Sequence, residues 1–263
     1  ACEGKGLLDE NFDKYRVGRL REKYPNAKIV GWIKEIGQNF NTGLTHSVEK
    51  YENRIKILNE CDAVLSHGID SMRDLTYHKE LNESIKKELQ FLSVPLNIEY
   101  MYDNFYSDTK ENSIYAYLPH QHHRRGDTYE FVNYISNKYN IPIRHKPLQE
   151  GQKFDYLTQK QFIELWSPSL FHFNLDPTIT QPGMQCRQVA SVGSIHIGGL
   201  NESHGILYPE TATNDKKILE ERFVEYLNDK KKRFEVIEYA WNKLNEVYSH
   251  NSVKKQISEI IYE

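Results

Sequence analysis

PGMQCRQVASVGSIHIGGLNE, running from Pro182 to Glu202, carries the punctuation of a helix, a strand and a tight turn in succession. Gly183 opens the segment, Val189 and Ala190 are small packing residues on the helix, and Gly193 ends it. SIHI is a short apolar strand, and Gly198-Gly199 lets backbone come close to a ligand. A helix entered this way turns its free N–H groups and the positive end of its dipole outward, which suits an anion. The plainer alternative is an ordinary helix-turn-strand unit of an α/β domain, since glycines are common at such junctions.

The surrounding residues repeat the alternation. SIYAYLP (Ser113 to Pro119) reads as a strand and HQHHRRGD as a loop. Thr128 to Tyr139 reads as a helix capped by Asp127 with Glu130 in the box position, and IPIRHKPL as a strand. Thr158 caps a helix through Trp166, with Gln161 in the box position, and SLFHFNLDP is the next strand. Long helices follow at Asp215 to Asn228, Lys230 to Tyr248 and Val253 to Tyr262. Their apolar residues, among them Leu219, Phe223, Tyr226, Phe234, Tyr239, Ala240 and Leu244, recur at helical spacing and read as core.

Toward the N-terminus the spacing predicts a helix over Phe12 to Tyr24, a strand at AKIVGWI (Ala27 to Ile33), a helix over Ser47 to Asn59, a strand at CDAVLSH (Cys61 to His67) and a helix from Asp70. Strand alternating with helix marks a parallel sheet. Val94 to Ser113 breaks the rhythm, with short extended pieces leading into a polar stretch, so a domain boundary is expected there. The division is then 1–108 and 109–263. The opening ACEGKGLLDENF has no strand-like run, although α/β domains usually begin on a buried strand, so the first domain is expected to be truncated.

Composition narrows the function classes. With 34 basic and 37 acidic side chains the net charge is −3, too even a balance to favour nucleic acid or anionic lipid, and no nucleic-acid partner is expected. No window approaches the roughly 18 apolar residues that a membrane span requires. Cys2, Cys61 and Cys186 are odd in number and unrelated in spacing, against a disulfide framework or a structural zinc, so a reducing, cytoplasmic setting is expected. The histidines of HQHH, with His145 and His172, lack the ligand spacing of a zinc site and read as a polar loop; no metal is expected.

In order and spacing, the half from about Ser113 onward resembles the donor-binding domain of GT-B glycosyltransferases of the retaining type that includes sucrose, glycogen and mannosyl transferases. In that family an arginine and a Lys-Gly pair hold the donor diphosphate. LPHQHHRRGDTYEFV puts Arg125-Gly126 where Lys-Gly is expected and His120 at the arginine. The family also carries two glutamates, the second five residues after one glycine and five before another. Gly183, Gln188 and Gly193 keep those spacings, with Gln188 at the glutamate that takes the ribose hydroxyls and Thr180 at the one that contacts the sugar. A neutral amide still donates and accepts hydrogen bonds, so ribose recognition survives the exchange. The family turn Gly-Gly-x-Pro-Glu is matched by Gly198, Gly199, Asn201 and Glu202, with Asn201 at the proline.

The resemblance implies two Rossmann-like α/β domains with the closing helices packing back. It also implies metal-independent transfer, with retention, from a nucleoside diphosphate sugar to an unknown acceptor, without a further cofactor. Arg125 and Thr180 are the catalytic candidates. His120, Arg124, Arg125, Gly183, Gln188, Gly199, Asn201 and Glu202 are the donor-binding candidates. Arg187 lies inside the helix and reads as a surface or salt-bridge residue. Glu35 and His67 end strands, where open sheets place ligands, and Glu35 is a third catalytic candidate. Two alternatives stand beside transfer: a binding protein that has lost catalysis, motivated by His120, Thr180 and Gln188, and a sugar-nucleotide epimerase.

Overall fold

The computed structural model describes residues 17–33, 55–66, 84–86, 89–116, 127–144, 158–175, 184–200 and 202–262. Their contacts fall into two compact units. Among the described residues, one unit holds those up to Val94 together with those from Asn251 onward, and the other holds those between Pro95 and His250.

In the first unit β1 (Val30–Ile33), β2 (Ala63–Ser66) and β3 (Leu89–Phe91) pair in parallel in that order. The preceding helix α1 (Val17–Lys23) buries Val17 in a cluster with Leu58, Cys61, Val64 and Ile85. A Cβ at Gly31 would lie 2.8 Å from Leu58 Cδ2, so the leucine end would have to move to admit one. The helical stretch at 55–60 therefore approaches β1 over bare backbone. Asp62, just ahead of β2, ties this layer together, since its carboxylate accepts the Ile29 N–H at 2.7 Å and the Arg21 guanidinium at 2.7 Å.

The second unit opens with α2 (Ile98–Phe105) and continues through β4 (Glu111–Ala116), α3 (Thr128–Tyr139), β5 (Ile143–Arg144), α4 (Gln159–Trp166) and β6 (Ser169–Phe173). It then runs through α5 (Met184–Ser191), β7 (Ile195–Ile197), α6 (Glu202–Leu207), a 3-10 turn (Pro209–Thr211), α7 (Lys216–Asn228) and α8 (Lys230–Tyr248). Its four described strands are all parallel, in the order β5-β4-β6-β7. Ile114, Phe171, Phe173, Ile195 and Ile197 are fully buried, the near-continuous apolar runs of a parallel sheet. The last helix, α9 (His250–Tyr262), belongs to the first unit from Asn251, where Val253 packs with Leu65 and Leu92. The α/β class expected from the alternating pattern is present in both units.

Several local expectations change. The stretch from Val94 to Ser113, expected to hold short extended pieces and a polar run, contains α2. Asn97 starts that helix by accepting the Tyr100 N–H at 3.1 Å, and Ile98, Met101 and Phe105 fall on its buried face. The exposed Tyr100 and Tyr102 blur the apolar spacing in the sequence. The Thr158 capping box forms as expected: Thr158 Oγ1 accepts the Gln161 N–H at 3.2 Å and Gln161 Oε1 accepts the Thr158 N–H at 2.9 Å. The Asp127 cap does not form; its carboxylate turns instead to Lys216 Nζ at 2.5 Å. On α8 the buried positions are Ala240, Leu244 and Tyr248, spaced four residues apart, which leaves Phe234 and Tyr239 exposed rather than in the core. Tyr226 on α7 is buried.

Candidate functional site

Gly193 stops α5 at φ +78, with the Ser194 N–H reaching back to the Val189 carbonyl at 3.2 Å and the Gly193 N–H to Ala190 at 3.3 Å. A Cβ at Gly193 would lie 2.8 Å from the Tyr106 ring, so glycine is required there for space as well as for φ. The chain enters β7 and leaves it through Gly198 and Gly199, at φ +87 and +96. The turn is held from two sides. Gly198 donates to the Thr211 carbonyl at 3.2 Å and Gly199 to Asn214 Oδ1 at 2.9 Å, while the neighbouring Asn174 N–H bonds Ile197 O at 3.0 Å. The Gly199 N–H is thus engaged within the protein, and what the glycine contributes is backbone shape. A Cβ at Gly198 would meet Asn174 O and Leu175 Cδ1, each at 3.0 Å. Gly198→Ala is expected to lower stability by about 1–3 kcal/mol, read as a fall in the urea midpoint. An unchanged midpoint would mean that the turn relaxes at no cost.

Strand order locates the crevice of this sheet. The chain passes from β4 outward to β5 and then back across β4 to β6, so winding reverses between β4 and β6. In open α/β sheets ligands bind beyond the strand ends at such a point. The segment after β4, residues 117–126, carries His120, Arg124 and Arg125; the segment after β6, residues 176–183, carries Thr180 and Gly183. These candidates lie outside the described residues, as do Glu35, His67 and Asn201 and the side chain of Glu202. Thr128, the first residue of α3, accepts the Leu175 N–H through Oγ1 at 2.8 Å, and both residues are buried. The two segments are therefore joined at the point where one ends and the other begins.

Gln188 is buried on α5 with 9% of its surface exposed. One turn earlier on the same face stands Gln185, whose side-chain amide has buried N and O atoms without a hydrogen-bond partner among the described residues. Sequence reasoning passed over Gln185, and its three-residue offset from Gln188 was the available signal. Thr128, Thr211 and Asn214 were also missed, although the polar run ATND ahead of α7 marks a segment that bonds to backbone. Arg187 is not a surface residue. It is fully buried, with its guanidinium carbon 4.8 Å from the centroid of the Tyr248 ring, because α8 packs over α5.

Under the turn lies a group of buried imidazoles. His196 on β7 faces His204 on α6 edge to face at 4.5 Å, and His172 occupies the paired position on β6. Burial depresses all three, His196 to about 3, with His172 and His204 lowered further by the neighbouring His196. His172 packs between Trp166 and Tyr115, and His204 Nε2 is 3.2 Å from Thr211 Oγ1. Among the described residues no group of three His, Cys, Asp or Glu side chains is disposed to hold a metal ion. Cys61 and Cys186 are buried and not disulfide-bonded, and no described helix is long and apolar enough to cross a membrane.

A cavity of about 280 Å³ lies elsewhere in this unit, lined by Tyr208, Glu210, Tyr226, Lys232, Glu235 and Tyr239 among others. Its lysine is neutralised, since Glu210 binds Lys232 at 3.0 Å and Arg222 at 3.4 Å. With Glu235 beside them the two carboxylates balance the two cations, which leaves no cationic excess for a diphosphate.

No protein-family model matches this chain, and no curated protein matches it in sequence. Solved structures match it in fold. Trehalose-6-phosphate synthase, studied for glycosyltransfer with retention, superposes with a TM-score of 0.66 at 9% identity, over 94% of this chain and 71% of that one. TarM gives 0.63 at 12% identity, over 90% of this chain and 51% of its own. An α-glucosyltransferase in complex with UDP-glucose and DNA containing an abasic site gives 0.56 at 14% identity, over 95% and 76%. Architecture, strand order and these superpositions agree: the chain has the fold of the GT-B glycosyltransferases.

Proposed function

We propose that this protein transfers a sugar from a nucleoside diphosphate sugar to an acceptor, with the donor at the carboxyl edge of the β5-β4-β6-β7 sheet. The observation that carries this reading is the buried Leu175 to Thr128 hydrogen bond. It joins the end of the segment bearing Arg125 to the start of the segment leading to Gly183, on either side of the winding reversal. Departure of a nucleoside diphosphate leaves negative charge on the pyrophosphate, which must be neutralised as the sugar carbon becomes cationic. Arg125 supplies a bidentate cation and the first turn of α5 supplies N–H groups, so the charge is met without a metal ion. Arg124 and His120 extend the cationic side, Gln188 takes the ribose hydroxyls, and Thr180 faces the sugar. Retention of anomeric configuration follows from the resemblance to the retaining enzymes.

The α-glucosyltransferase complex contains UDP-glucose, which supports a UDP-type donor for this fold. Its DNA does not carry over, since this chain has a net charge of −3 and no basic excess for a polyanion. Calorimetric titration with UDP and GDP, followed by an assay of donor hydrolysis, tests the reading. Arg125→Ala should weaken diphosphate binding by about 1.5–3 kcal/mol; unchanged affinity rejects Arg125 as the cation.

A second reading rests on a specific feature. Thr180 and Gln188 are neutral where the resembled family has carboxylates, and His120 stands for an arginine. A nucleotide-sugar-binding protein without turnover would keep the amide and lose the acids. Tight UDP or GDP binding with neither hydrolysis nor transfer would favour it.

A further inference from the structure

We infer that Asn214 is a positioning residue for the nucleotide-sugar site, acting with Thr211 as a clamp that sets the Gly198–Gly199 turn; this inference rests on the donor-binding reading above. Two consecutive residues at φ +87 and +96 are conformationally loose, because glycine has no Cβ to confine it. A turn that approaches a ligand must nevertheless hold one shape before the ligand arrives, or ordering it costs affinity. In this chain the ordering comes from the segment between the 3-10 turn and α7. The Thr211 carbonyl accepts the Gly198 N–H at 3.2 Å, and the Asn214 side-chain oxygen accepts the Gly199 N–H at 2.9 Å. Both glycine amides are therefore fixed from one side, by residues three apart in sequence.

The clamp is itself anchored. Thr211 Oγ1 donates to the His196 carbonyl at 2.8 Å, and His204 Nε2 lies 3.2 Å from the same hydroxyl, in a fully buried setting. Asp215, next in sequence, caps α7 by accepting the Lys217 and Ile218 N–H groups at 2.9 and 3.3 Å, which fixes the backbone leaving Asn214. On the other side of the turn, Gly198 sits against Asn174 O and Leu175, the residues that lead out of β6 toward the second half of the proposed crevice. The turn is wedged between that exit and the clamp. Asn214 touches no reacting atom; its effect passes through the turn.

The chemistry of the contact sets the test. The Gly199 N–H needs an acceptor, which Asn214→Asp keeps and Asn214→Ala removes. Affinity for UDP and GDP is measured by calorimetry on the full chain, with the thermal midpoint recorded for each variant. The expected result is a loss of about 5- to 30-fold in the affinity of whichever nucleotide binds for Asn214→Ala, with Asn214→Asp within about 3-fold of the parent. Amide hydrogen exchange at Gly199 should speed up in the alanine variant and stay slow in the aspartate variant. An alanine variant that binds as well as the parent, or an aspartate variant as weak as the alanine one, overturns the clamp. A parent chain that binds neither UDP nor GDP overturns the donor-binding reading itself.

Discussion

Stability is expected to fall steeply between pH 6.5 and 5, above the range where carboxylates titrate. The cause is the trio His172, His196 and His204, all fully buried and held neutral by desolvation, His196 with its pKa pushed down to about 3. Their folded pKa values lie below the unfolded value of roughly 6.5, so at acid pH the unfolded chain binds more protons than the folded one. The contribution is whole above about pH 6.5 and is lost as pH falls through the window toward about 3, where His196 itself titrates in the folded protein. Each such histidine contributes a slope of about 1.4 kcal/mol per pH unit, so three together reach about 4 kcal/mol per unit. By about pH 5 the three together cost about 6 kcal/mol, a large share of a typical domain stability of about 5–15 kcal/mol. Urea unfolding followed by circular dichroism at pH 7, 6 and 5 measures this slope. His196→Gln should flatten it by about one proton, and a parent protein equally stable at pH 7 and 5.5 would refute the buried-imidazole account.

The second large effect is expected at Phe223, with a control on the neighbouring helix. Phe223 is fully buried, its ring 4.8 Å from Phe171 and 5.7 Å from both Phe173 and Tyr139, so it joins α7 to β6 and α3. Truncation to alanine removes an aromatic ring whose neighbours sit on a parallel sheet and can move little. A loss of about 3–5 kcal/mol follows. Phe234 looks much the same in sequence, an aromatic residue in an amphipathic helix, yet 64% of it is exposed. Phe234→Ala should stay within about 0.5 kcal/mol of the parent. Equal shifts in the two variants would contradict the packing of α7.

That contrast shows what the sequence could and could not convey. Strand and helix alternation revealed the class, and the Thr158 to Gln161 box was readable because both of its bonds are local. Gly193 and the glycines after β7 were also legible, since their backbone angles answer to residue type alone. Asp127 misled because a distant lysine on α7 takes its carboxylate, and a remote cation leaves no mark on local spacing. Arg187 misled for a similar reason: only the packing of α8 over α5 turns a polar helix position into an interior one. Helix α2 was hidden by tyrosines that mix with its buried face. For the candidate site, sequence supplied the cations and glycines, while Thr128 and Asn214 emerged only from folding, as their partners lie 47 and 15 residues away.

The return of α9 to the first unit governs when that unit can be finished as the chain is made. Val253 packs with Leu65 and Leu92, and Gln256 accepts bonds from the Ser93 N–H and hydroxyl, each at 3.0 Å, across 163 residues. A ribosome delivers α9 only after the whole of the second unit has emerged. Until then Leu65 and Leu92 lack their apolar cover, so the earlier-born half waits for the later-born one, and a stalled nascent chain would present a sticky surface that chaperones recognise.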